Sequence, residues 1–127
     1  MPRIKKAILV IDDELEIREM LRDFLQEHDF TVTLAEDGIT AMDALEKNLP
    51  GIVIVDLLLP GEHGINLVKR IKEKYFLPVI MISSIYKKEE LADLMEDHFV
   101  EAFCEKPLNL AVLLKHLKTI INSSTEN

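Results

Sequence analysis

Three short runs in this chain, "AILVI" at 7–11, "IVIVD" at 52–56 and "PVIMIS" at 78–83, are apolar at nearly every position. A strand with one face in water alternates apolar and polar residues, whereas a run apolar throughout has to be covered on both faces. Between these runs the period changes. Ile17, Met20, Leu21, Phe24 and Leu25 recur at helical spacing in a segment that ends near His28, and helical patterns return at 39–47, in "INLVKRIKEKY" and in "LAVLLKHLKTII". "FTVTLA" and the weaker "VEAFC" read as two further strands, and residues 87–97 as a helix with a strongly charged face. The count is five strands and five helices. Their regular alternation predicts an α/β domain built on a doubly wound parallel sheet, with right-handed crossovers and helices on both faces.

With 127 residues, 48% of them hydrophobic, the chain is expected to form one domain over 1–127, with a core from about 6 to 121 and a frayed tail "NSSTEN". A net charge of −8 disfavours attraction to nucleic acid or to an anionic membrane, since both require clustered cations. No apolar run approaches the roughly 20 residues of a membrane span, and "MPRIKKAILVIDDE" lacks the hydrophobic region of a secretory signal. The expected location is the cytoplasm. Cys104, the single cysteine, sits in an apolar context and is expected to behave as a small buried hydrophobe.

In open parallel sheets, ligands bind beyond the carboxyl ends of the strands. Here those ends carry Asp12 and Asp13, then Asp56, then Ser83 and Ser84, then Lys106. Each residue alone has an ordinary explanation. Asp13 with Glu16 could form a helix capping box, Asp56 could open a turn, a serine could cap the next helix, and Lys106 could be a solvated loop lysine. Their conjunction is less ordinary: three carboxylates, a hydroxyl and an ammonium on one sheet edge. Clustered carboxylates repel unless a cation joins them. Oxygen ligands without nearby His or Cys suit Mg²⁺ and disfavour zinc. A lysine and a hydroxyl then supply what the oxygens of a phosphoryl group require.

Over nearly its whole length the chain resembles the receiver domain of bacterial two-component response regulators, a flavodoxin-like fold shared with chemotaxis regulators. The resemblance rests on the acidic pair in "ILVIDDE", the aspartate in "IVIVDLLLPGEHG", the hydroxyl in "PVIMISS" and the lysine in "FCEKP". It implies the strand order 2-1-3-4-5. It also implies that Asp56 accepts a phosphoryl group. Asp13, Asp56 and the backbone carbonyl of Leu58 would hold Mg²⁺, or Mn²⁺ in its place, with Asp12 acting mainly through a bound water. Ser83 and Lys106 would bind phosphoryl oxygens, and Ser84 would leave room for them. Pro107 would follow a cis bond, and Phe103 would be the aromatic that changes rotamer on switching. Phe103 has a plainer reading as a core aromatic. Leu58 and Ile85 flank the site, and their apolar side chains are expected to hinder water and lengthen the phosphorylated lifetime.

The implied partners are a sensor histidine kinase or phosphotransfer protein and a downstream output domain or target protein, with a phosphorylation-dependent homodimer left open. The chain is then a switch rather than a turnover enzyme, and either a stand-alone receiver or part of a longer regulator. It departs from the family pattern before Phe103, where "FVEA" replaces a usual Gly-Ala pair and the span from Ser83 to Lys106 is about one residue long. The alternatives are a receiver-like interaction module that works without phosphate, a flavodoxin-like redox domain and an aspartyl-phosphate phosphatase. The intact acidic, hydroxyl and lysine set argues against the first. The negative charge of "DDELE" would repel a cofactor phosphate. Leu58 stands where a phosphatase would need a second aspartate.

Overall fold

In the computed structural model, which describes residues 4–84, 89, 92 and 100–125, all five expected strands form. The elements in chain order are β1 (Ala7–Ile11), α1 (Leu15–Glu27), β2 (Thr31–Ala35), α2 (Gly38–Lys47), β3 (Ile52–Asp56), β4 (Leu58–Leu59), β5 (Glu62–His63), α3 (Gly64–Tyr75), β6 (Val79–Ser83), β7 (Ala102–Glu105) and α4 (Leu110–Thr125). The main sheet is parallel in the order β2-β1-β3-β6-β7. With the small β4-β5 hairpin set aside, this is the expected 2-1-3-4-5.

Strand alternation sorts the core into two layers. Leu9, Ile11, Val53, Val55 and Met81 face α2 and α3, where Ala41, Leu45, Leu67, Val68 and Ile71 meet them. Ile8, Val10, Ile52, Ile54, Ile80 and Ile82 face α1 and α4, packing on Leu21, Leu25, Leu113, Leu117 and Ile120. Burial on both faces explains why β1, β3 and β6 carry no polar alternation. Four helices lie among the described residues. Of the helix expected at 87–97, Glu89 and Ala92 are helical and the remaining positions lie outside the described residues, as does Ile85.

Three local expectations change. The loop after Asp56 is a hairpin, because Pro60 sets the first bend and Gly61, at φ 78°, takes the left-handed position that lets Leu58–Leu59 pair with Glu62–His63. Asp13 does not cap α1: the N-cap is Glu14, which makes no side-chain cap bond. The last helix, expected to end at Ile121, runs on to Thr125, with Thr119 Oγ1 donating to the Lys115 carbonyl and Ser123 Oγ to the Thr119 carbonyl. Cys104 is buried in the α1/α4 layer as expected, and burial pushes its thiol pKa up.

Candidate functional site

The sheet's ladder runs one residue past the strand ends and so fixes where the polar residues emerge. Asp12 N–H donates to the Ala35 carbonyl at 3.1 Å, Leu57 N–H to Ile82 at 2.9 Å and Lys106 N–H to Ser83 at 2.9 Å. Two aspartates then turn the chain in the same way. Asp12 Oδ1 accepts from the Glu14 amide at 2.9 Å, and Asp56 Oδ1 from the Leu58 amide at 3.2 Å. Each is a side-chain turn reaching two residues on, a habit of aspartate at chain reversals. Both carboxylates thereby leave Oδ2 facing the same point, which is Lys106 Nζ.

That ammonium lies 2.9 Å from Asp12 Oδ2, 3.1 Å from Asp56 Oδ2 and 3.1 Å from Glu14 Oε1. The Asp56 and Glu14 contacts are hydrogen bonds, whereas the Asp12 contact is ionic but outside hydrogen-bonding angles. Asp12 is 0% and Asp56 4% exposed, so these charges meet in a poorly solvated place. Burial pushes both carboxyls up in pKa; for Asp12, Lys106 and the Glu14 amide oppose this, and for Asp56, the Leu58 amide and Lys106 oppose it while the Asp12 charge adds to it. Burial alone would lower the Lys106 ammonium, but its close pairing with Asp12, Glu14 and Asp56 outweighs this and holds its pKa well above the ordinary lysine value. The lysine therefore stays charged.

Carboxylate oxygens of Asp12, Asp13, Glu14 and Asp56 all lie within 4.8 Å of one another. Asp12 Oδ2 accepts no hydrogen bond and meets the Lys106 ammonium as an ion pair, which leaves it lone pairs that a metal cation can also use. With oxygen donors alone, the set fits a hard divalent ion such as Mg²⁺. Arg18 Nη1 braces the arrangement by donating to the Asp12 carbonyl at 2.7 Å. Gly64 protects it from the other side: a Cβ there would meet the Asp56 carbonyl and lie 2.8 Å from Leu57 Cα.

The expected residues thus divide. Asp12, Asp13, Asp56 and Lys106 converge. Ser83 is fully buried at the end of β6, beside Glu105 in register, and Ser84 after it is exposed. Leu58 follows the site with an exposed side chain. The Lys106-Pro107 bond is cis. Phe103 is half-buried, opposite Met81, and packs on the α2/α3 layer. Glu14 was not among the expected site residues. The only hint was its place in "DDE", next to the acidic pair.

The fold and site together are those of a doubly wound α/β domain with buried acids around a lysine at the carboxyl edge of its sheet, where such folds bind ligands. The chain belongs to the response regulator receiver domain family, whose model matches residues 8–118, and so to the signalling switches of two-component systems. It is 31% identical over 114 residues to the response regulator RR06 of Streptococcus pneumoniae, covering 90% of this chain and 52% of that one. To the regulatory protein VanRc of Enterococcus gallinarum it is 30% identical over 117 residues, covering 91% and 50%. The chain thus spans about half the length of these curated relatives. Among solved structures, the chemotaxis response regulator CheY4 of Vibrio cholerae superposes with a TM-score of 0.81 at 26% identity, over 91% of this chain and 98% of that one. No helix among the described residues is long and apolar enough to cross a membrane.

Proposed function

We propose that residues 1–127 act as one receiver unit that accepts a phosphoryl group on Asp56 from the phosphohistidine of a sensor kinase or phosphotransfer protein, or from a small acyl phosphate. The observation that carries this reading is the placement of Lys106 Nζ 3.1 Å from the buried Asp56 Oδ2. An Asp56 oxygen attacks phosphorus, the bond from phosphorus to the donor's nitrogen or oxygen breaks, and its electron pair leaves with the donor. Asp56 is positioned by its own turn, Lys106 stays protonated and pairs with a phosphoryl oxygen, and the Ser83 hydroxyl donates to another. Ser84 leaves space beside it. Asp12, Asp13, Asp56 and the Leu58 carbonyl would hold Mg²⁺. When bound, the ion neutralises the carboxylates and stabilises charge on the transferring group.

Hydrolysis reverses the state when water displaces the Asp56 oxygen from phosphorus and releases inorganic phosphate. The domain is a switch and not a turnover enzyme, with Phe103 and the face around β7 and α4 relaying the change to an output domain or target protein. Incubation with acetyl phosphate and Mg²⁺, read by intact mass, tests the assignment. Wild type should gain a phosphoryl group and Asp56→Asn should not. Equal labelling of the two would remove Asp56 as acceptor.

A further inference from the structure

Among the described residues Lys106 Nζ has three acidic neighbours, Asp56 and Glu14 as hydrogen-bond acceptors and Asp12 as an ion-pair partner. Two of them are fixed. Asp12 and Asp56 are buried, and each commits its other oxygen to a backbone amide. Glu14 is different: its side chain is 58% exposed and reaches Lys106 from the rim, from the residue that opens α1. A buried ion pair resists rupture because separation leaves unpaired charge, while an exposed pair parts readily. If Lys106 takes up a new anion, Glu14 is the partner it can release.

Resting on the phosphoacceptor reading of Asp56, we propose that Glu14 is a positioning residue that occupies, in the resting protein, the Lys106 donor that a phosphoryl oxygen takes after transfer. It holds the ammonium aimed into the cleft. It also competes with every incoming anionic phosphodonor, which must displace the Glu14 carboxylate and pass its negative charge at the mouth. A phosphoryl group carries about −1.5 to −2 charges and three acceptor oxygens, so it wins the exchange once attached. The competition acts on the approach and lowers the rate with small donors.

The test compares wild type and Glu14→Gln with Mg²⁺ and two donors, acetyl phosphate and the less negatively charged phosphoramidate, at low and high ionic strength. Since exposed ion pairs are weak and screened by salt, the variant should react about threefold faster with acetyl phosphate, gain less with phosphoramidate, and lose most of the gain in roughly 0.5 M KCl. In the metal-free protein the ¹⁵Nζ signal of Lys106 should broaden in Glu14→Ala, which removes the acceptor and opens one ammonium hydrogen to exchange with water. The melting temperature of Glu14→Gln should stay within about 5 °C of wild type, since the Glu14 end of the pair is exposed. Equal or slower labelling of Glu14→Gln with both donors, or an unchanged Lys106 signal in Glu14→Ala, overturns the role of Glu14 while leaving Asp56 as acceptor. Labelling of neither protein overturns the acceptor assignment and this inference together.

Discussion

Asp56 and Lys106 show how a single residue can be unfavourable for the fold and necessary for the site. Burial, with the Asp12 charge adding to it, raises the Asp56 pKa. Between the ordinary carboxylate range and that raised value the native state binds the proton more tightly than the unfolded chain does. Stability therefore falls as pH climbs through this window and stays lower above it. Asp56→Asn should stabilise the metal-free protein at neutral pH and flatten this part of its pH profile, as measured by urea unfolding. Asp37 runs the other way. Its capping-box bonds with Thr40 hold its carboxyl below the ordinary range, so its contribution is present above the unfolded pKa and is lost as pH falls through the folded one. The residues of the site were legible where a buried run stops at a charge, as at Asp12, Asp56 and Lys106. Glu14 was not, because its partner is 92 positions away and an exposed glutamate at a helix start has many ordinary uses.

Among the elements, the start of β7 accounts for a departure that sequence alone left without a reason. Glu101, in the "FVEA" stretch, accepts from Lys72 Nζ of α3 at 2.6 Å and from the buried Val79 amide at 2.8 Å, while its own amide donates to the Val79 carbonyl at 2.8 Å. The carboxylate thus ties α3, β6 and β7 together at the end of the sheet opposite the acidic cleft. Glu101→Ala leaves the Val79 amide without this acceptor and should cost about 2 kcal/mol in chemical denaturation, more than Lys72→Ala, which removes only one donor to the same group. Helices were readable because their apolar period spans many residues, and the central strands because they are unbroken apolar runs. The β4-β5 hairpin, with two residues per strand, is too short to leave a period, and only its Pro60-Gly61 turn was visible. The extra turn at the end of α4 was hidden because residues 122–125 are all polar and leave no apolar period to read.

On the scale of the whole molecule, a net charge of −8 and four clustered carboxylates make stability sensitive to divalent cations. Mg²⁺ at tenfold excess over its Kd should add about 1.4 kcal/mol and raise the melting temperature. The gain should be lost in Asp56→Asn, and no shift in wild type would argue against the metal site. The sheet topology was legible as a class, since buried runs demand two covering layers. The division of each strand between those layers also has a practical side. Phe103 and Cys104 are neighbours in β7, yet one packs on the α2/α3 layer and the other on the α1/α4 layer. The protein therefore carries two natural reporters back to back on one strand. A fluorinated Phe103 would register events on the first side, and the rate at which a thiol reagent reaches Cys104 would clock the opening of the second.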